Sequence, residues 1–247
     1  MQMARDENIL RLAKAILEAH KTIIFTGAGV STSSGYPDLE GMQKITRGDR
    51  YFNGDLLELL TNRFARNNPK EFYRLYRKTH FRVKNSPSPT HKIISMLQAD
   101  KLLAGVITMN LDHLHTLAGS KSVVEYWGSI NDNYCVAQHH YFDMSFIATH
   151  KIPHCPQDGS LILPVFVERN MVALRKELIH GEKAIDAADL LIVCGTKAAH
   201  GIQGHPHKIA VINMEPIELE NQADIVVHAP VDQVFSQLVT LLYHAKF

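Results

Sequence analysis

The stretch KTIIFTGAGVSTSSGYPDLEG, Lys21 to Gly41, decides the fold. Thr22 to Thr26 is a run of β-branched and aromatic residues, which predicts a buried strand. The run stops at Gly27-Ala28-Gly29, a turn that only small residues can make, and behind it come the hydroxyls of Ser31, Thr32, Ser33 and Ser34, which can cap a helix start or bond a phosphate. Strand, glycine turn and helix N-terminus gather backbone N–H groups and the positive end of a helix dipole at one spot, which favours an anion such as a pyrophosphate. The turn alone does not decide the matter. Thr32 stands where the fingerprint G-x-G-x-x-G has its third small residue, and no acidic residue follows at the usual distance of about twenty positions. A lone GAG after a strand reads as a plain tight turn as readily as a ligand loop.

Working outward, the chain has 247 residues, within reach of one α/β domain with a smaller inserted lobe. An apolar fraction of 45% can build a core, and a formal charge of +1 gives no electrostatic case for nucleic acid. No apolar run approaches a membrane span, and the first residues, MQMARDENIL, lack the apolar region of a signal peptide. The expectation is a cytoplasmic chain whose three cysteines, Cys135, Cys155 and Cys194, are reduced thiols or ligands rather than a disulfide framework.

Ile9, Leu12, Ala13, Ile16 and Leu17 share a helical face, so residues near 6 to 20 read as an amphipathic helix. After Gly41 the pattern loosens into a loop crossing the site, followed by short helices. Asn68-Pro69 starts a helix with Phe72, Leu75 and Tyr76 on one face, and His91 to Leu97 resumes as helix after Pro87 and Pro89. Strands are predicted over 102–109, 123–127, 187–196, 208–214 and 224–229, with a last helix over 231–243. Strands alternating with helices predict an α/β fold with a doubly wound parallel sheet. Asn110 and Asp112 follow a buried strand at its carboxyl end, where parallel sheets place ligands, although Asp112 ahead of Leu114 also reads as a plain helix cap. His115 reads as packing and His113 as solvent-facing.

Beyond the turn, GAGVSTSSGYPDLEG resembles the GAG(I/V)SxxSGIPDFRG signature of sirtuins, the NAD-dependent protein deacylases. ITMNLDHLHTLAGS resembles their TQNIDxLHxxAG, VVEYWGS their VxELHGS, and INMEP their INxEPT. Gly195-Thr196 resembles the start of their GTS, with Lys197, expected to be exposed, in place of the serine. The resemblance runs in order along nearly the whole chain. It implies a Rossmann-like lobe over about residues 1–40, 98–128 and 164–247, with an inserted lobe over about 41–97 and 129–163. It implies NAD or ADP-ribose bound by Gly27, Ala28, Gly29, Ser31, Asp38, Asn110, Asp112, Gly195, Thr196, Asn213 and Glu215, and an acylated protein or peptide as a further partner. Asn110, Asp112 and Trp127 fall at its reactive positions.

The sequence departs from the family where the reaction occurs. The catalytic histidine corresponds to Trp127, whose indole offers one donor and no basic lone pair. Loss of a positioned base costs ~10²–10⁴-fold. Met109 replaces the glutamine of TQN, and Leu39 and Glu40 replace the phenylalanine and arginine of PDFR. The resemblance therefore implies impaired deacylation, leaving ADP-ribosyl transfer or NAD cleavage, or a non-catalytic NAD sensor. The zinc module keeps Cys135 and Cys155, while Gln138 and Asp158 hold the other two cysteine places. A site from Cys135, His139 or His140, Cys155, and Asp158 or His154 is chemically feasible. The non-standard spacing favours instead a lobe held by packing, so no metal ligand is assigned and zinc stays open.

Overall fold

The computed structural model describes residues 2–198 and 202–244. Strand β1 (Thr22–Thr26) is buried along its whole length and lies inside a six-stranded parallel sheet. Its neighbours are β2 (Gly105–Thr108) and β3 (Val123–Glu125) on one side, and β7 (Leu190–Cys194), β8 (Ile209–Asn213) and β9 (Ile225–His228) on the other. The order is β3-β2-β1-β7-β8-β9. The winding thus runs outward from β1 to β3, then returns to the other side of β1, and the crevice between β1 and β7 is the point of reversal. Doubly wound sheets take ligands at that point, outside the carboxyl ends of their strands.

Side chains of a strand alternate between faces, and β1 feeds both. Ile24 faces a core shared with α1 (Gln2–Glu18), α6 (Pro89–Ala99) and α11 (Val231–His244), while Ile23 and Phe25 face Tyr126 and Ile185, the latter on α10 (Arg175–Asp186). Continuous apolar strands such as Leu190–Cys194 follow from burial on both faces. The expected strands appear, β1 over its full predicted span and the others shorter than their apolar runs at one or both ends.

The second body is built from α3 (Leu56–Leu59), α4 (Asn62–Asn67), α5 (Pro69–Thr79), α8 (Met144–Thr149) and α9 (Val165–Glu168), together with a three-stranded antiparallel sheet. That sheet runs β5-β4-β6 and is made of β4 (Asn133–Cys135), β5 (Tyr141–Phe142) and β6 (Ile162–Pro164). Phe72, Tyr73 and Tyr76 of α5 pack at its centre with Phe166, Phe72 stacked on Tyr76 and edge-to-face with Tyr73. Two differences from expectation concern its borders. Helix α6 packs on the large sheet, because Ile94 and Leu97 join the core around α1. Phe166 and Val167, beyond the expected border at 163, instead join Ile162 and Leu163 in the aromatic cluster of α5.

The segment after Gly41, expected to be loop, is mostly helix. Helix α2 (Leu39–Arg47) starts at Asp38, whose carboxylate accepts from the Gly41 N–H at 2.8 Å. A cap three residues before an N–H outweighs the loose pattern of apolar residues behind it. A short α7 (Leu114–Leu117) succeeds β2.

Candidate functional site

At the reversal point two loops touch backbone to backbone. The Gly29 N–H donates to the Gly195 carbonyl at 2.8 Å, and the Gly27 N–H to that of Cys194 at 3.2 Å. A Cβ on Gly29 would lie 2.7 Å from Gly195 Cα, and one on Gly27 2.5 Å from Thr196 Cβ. Glycine is therefore required here by the approach of the β7 loop. Gly195 itself sits at φ +61, the left-handed region that favours glycine. Behind the turn the chain forms a 3₁₀ helix, Ala28–Ser34, closed by Gly35 at φ 81. This corrects the expectation of an α-helix N-terminus: the serines and threonine that read as cap residues are themselves inside the short helix. Thr32 turns its hydroxyl back to the Gly29 carbonyl.

Ser31, Asn110 and Asp112 come together as one buried network. The Asn110 amide donates to the Gly27 carbonyl and to Ser31 Oγ, both at 3.1 Å, and Ser31 Oγ donates to Asp112 Oδ2 at 2.6 Å. Asp112 Oδ1 accepts from the Leu114 N–H at 2.9 Å, so the helix-cap role and the place in the cleft coexist. Burial raises the Asp112 pKa above the ordinary carboxylate value, against the lowering effect of the Ser31 and Leu114 hydrogen bonds. His113, expected to face solvent, instead sits at φ 63 and pairs through Nδ1 with Glu125 at 3.0 Å. Burial pulls its pKa down, but the bond and charge of Glu125 carry it above the ordinary histidine value. His115 is packing, as expected, with Nε2 on Thr26 Oγ1 at 2.9 Å.

Beside this network opens a cavity of about 180 Å³, lined in part by Ala28, Ser31, Asn110 and Asp112. Three of the substituted motif positions, Leu39, Met109 and Trp127, line the same cavity. Trp127 is half-buried, with its carbonyl held by Arg169 Nη2 at 2.7 Å. Glu40 stays out: it is exposed and paired with Lys44 at 2.7 Å, so no repulsive carboxylate enters the cleft. Lys197 is exposed, as expected.

The remaining predicted residues are spread along the same edge of the sheet. Gly195 and Thr196 close β7 against Gly27 and Gly29, and Asn213 ends β8, with its amide on the Glu215 carbonyl at 2.9 Å. Glu215 is exposed, and Asp38 is an exposed helix cap that does not line the cavity. Sequence reasoning missed Tyr36 and His80, which also line the cavity. Tyr36 stood inside the quoted motif, in the isoleucine place of SGIPD. His80 lies between motifs and carried no signal.

In the second body, four donors converge. Cys135, His140, Cys155 and Asp158 place one donor atom each within 4.8 Å of all the others. Cys135 Sγ lies 3.5 Å from His140 Nδ1 and 3.2 Å from Asp158 Oδ2, while His140 Nδ1 lies 3.3 Å from Cys155 Sγ and 3.5 Å from Asp158 Oδ2. Zinc bonds of ~2.3 Å to sulfur and ~2.0–2.1 Å to nitrogen or oxygen, at tetrahedral angles, separate donors by roughly 3.3–3.8 Å. The set fits zinc. Asp158 Oδ1 is occupied by the Ser160 N–H at 2.8 Å and its hydroxyl at 2.6 Å, which turns Oδ2 toward the group. These bonds, those of Ser160 first, hold the Asp158 pKa below the ordinary range. His139 and His154 are exposed and take no part. Of the alternatives the sequence left open, the hairpin β4–β5 brings His140 rather than His139 to the two cysteines, and Asp158 rather than His154 completes the set, against the leaning toward a lobe held by packing alone.

A doubly wound sheet with polar groups gathered at its reversal point defines the class of α/β proteins that take a ligand in that crevice. Residues 27–200 match the family model described as the Sir2 family, and the chain belongs to that family. It is 29% identical over 243 residues to an NAD-dependent protein deacetylase of Clostridium perfringens, covering 95% of this chain and 99% of that one. A structure solved in work on the basis of sirtuin substrate affinity superposes with a TM-score of 0.80 at 25% identity, covering 92% of this chain and 96% of the other. A Sir2 complex with the inhibitor EX-527, 2'-O-acetyl-ADP-ribose and a deacetylated p53 peptide gives 0.75 at 25% identity over 93% of this chain and 96% of that one. Among the described residues no helix is long and apolar enough to cross a membrane.

Proposed function

We propose that the crevice binds NAD or ADP-ribose and that its chemistry centres on breaking the nicotinamide–ribose bond, with deacylation of a lysine impaired. The observation that carries this reading is the coexistence of an intact Ser31–Asn110–Asp112 network with Trp127 in the wall of the same cavity. The relatives include an NAD-dependent deacetylase and a Sir2 bound to an ADP-ribose derivative. NAD supplies an activated ribosyl group whose leaving group is a neutral pyridine.

Around it, the residues orient and stabilise. Asn110 and Ser31 fix the Asp112 carboxylate, whose negative charge at the cavity end favours the positive character of an oxocarbenium-like transition state. Leu39, Met109 and Trp127 line the same cavity. None of the three can take a proton, so a step that needs a base at the ribose hydroxyls has no acceptor at Trp127. A second reading, an NAD sensor without turnover, is favoured by the same apolar wall.

Incubation of the purified protein with NAD and measurement of released nicotinamide separates the two, since only the first reading expects release. Trp127→His restores an imidazole and is expected to raise deacetylation of an acetylated peptide by up to ~10²–10⁴-fold. No gain with NAD binding intact would show that the missing base does not limit the reaction. Four protein donors leave no open coordination position, so the zinc we infer at Cys135, His140, Cys155 and Asp158 is structural rather than catalytic. Elemental analysis of protein prepared with zinc is expected to give one ion per chain, and a zinc-free folded protein would refute it.

A further inference from the structure

We propose that the outward face of helix α5, with the turn that follows α2, is a cationic ridge that docks an extended acidic segment of a partner protein. Residues 39–84 hold 11 of the 26 Lys and Arg but only 5 of the 25 Asp and Glu. That stretch carries +6 and the rest of the chain −5, so the formal charge of +1 hides an uneven distribution. Helix α5 buries Phe72, Leu75 and Tyr76 and leaves Lys70, Arg74 and Lys78 on its other side, one turn apart. Arg74 is held by Asp49 at 2.5 Å and Glu71 at 2.6 Å, and Lys78 lies 3.4 Å from the same Asp49. Two of the five acids are thus spent on Arg74, and a third, Asp55, accepts from the Glu58 N–H at the start of α3. Tyr51 is 72% exposed, with the guanidinium carbons of Arg50 and Arg74 each 5.8 Å from its ring centre.

Beyond the end of α5, Arg82 donates to the Lys78 carbonyl at 2.7 and 3.1 Å and to the Gly35 carbonyl at 2.8 Å. Those partners are neutral, so its charge adds to the surplus. Gly35 closes the 3₁₀ helix behind the glycine turn, so the ridge runs from Arg50 and Tyr51 to the edge of the crevice. None of its cations lines the cavity. Cations four residues apart on a helix repeat every ~6 Å. Side chains on one face of an extended peptide repeat every ~6.6 Å, so alternate acids of such a segment meet successive cations. A polynucleotide fits less well, because it carries charge at every residue and extends past the ridge toward a surface whose net charge is negative.

The test is fluorescence anisotropy of the full chain with a labelled Glu-Ala repeat of about eight residues, ~26 Å when extended. A Lys-Ala repeat and a single-stranded oligothymidylate of the same number of charges serve as rival probes. The acidic peptide is expected to bind best, and to weaken between ~0.1 M and ~1 M salt, as screening shortens from ~10 to ~3 Å. Combining Arg50→Ala, Lys70→Ala and Lys78→Ala is expected to lose ~3–100-fold in its affinity, three surface pairs at their usual worth. Exchanging the same three positions Arg for Lys and Lys for Arg keeps the charge and is expected to keep most of the binding. ADP-ribose titration of both variants checks that the fold is intact. No binding of the acidic peptide at low salt, equal binding of the Lys-Ala repeat, or undiminished affinity in the alanine variant overturns the proposal. Tighter binding of the oligothymidylate overturns it in favour of a nucleic-acid surface. None of these outcomes bears on the nucleotide reading of the crevice.

Discussion

Replacing Asp112 with asparagine is expected to strengthen the fold and disable the site. Asp112 is 6% exposed, and burial raises its pKa, so folding favours its protonated form. That contribution is fully present below the unfolded value of ~3.9 and is lost as pH rises through the higher folded value. At neutral pH the protein therefore carries a buried carboxylate at a cost. Asparagine removes the charge and keeps the bonds: its carbonyl accepts from the Leu114 N–H, and its amide donates to Ser31 Oγ, reversing the present 2.6 Å bond. Functional-site changes of this kind return ~0.5–2 kcal/mol, and each kcal/mol raises the melting temperature of a domain this size by ~2–4 °C. Thermal scans at pH 7 should show that rise, and NAD cleavage should fall by ~10²-fold or more once the charge that meets the transition state is gone. A lower melting temperature, or undiminished cleavage in Asp112→Asn, would refute the reasoning. In acid, near pH 4, the stability gap between the two proteins should close.

Gly29→Ala forces a methyl to 2.7 Å from Gly195 Cα, a backbone atom with no easy retreat, and should cost ~1–3 kcal/mol and weaken ADP-ribose binding, read by denaturant titration and calorimetry. Ser160→Ala removes the hydroxyl bond to Asp158 Oδ1, leaving only that of the backbone N–H, and should lower zinc affinity ~10-fold or more in a chelator competition, without touching a ligand atom. Because Glu125 raises the His113 pKa, their pairing stabilises the fold below pH ~6.5 and fades as pH rises through the folded value. Glu125→Gln should flatten that stretch of the stability profile, and an unchanged profile would show that the pair does not titrate there.

Local patterns carried much of this molecule. The apolar run Leu190 to Cys194 and the small residues Gly27 and Gly29 are legible because burial on both faces and close backbone approach each demand particular residue types. The meeting of Leu39, Met109 and Trp127 in one cavity was not legible, since it depends on how helix α2 lies over the ends of two strands. The choice of His140 over His139 and of Asp158 over His154 beside Cys135 and Cys155 was likewise left to the tertiary placement of β4, β5 and the turn at Gly159. Asp38 carries a local task that the sequence reading did not assign it, since its Oδ1 accepts from the Gly41 N–H at the start of α2. His80 shows the limit most plainly, because an isolated histidine at a helix end looks the same in sequence whether it meets water or a cavity.

The contact between Gly29 and Gly195 joins opposite halves of the polypeptide. A ribosome that has released only the first half has made the whole glycine motif and still has nothing to hold a phosphate against. Competence must then arrive late in synthesis, when β7 slots in beside β1, and a truncated chain ending before that strand should be blind to nucleotide however well its helices form.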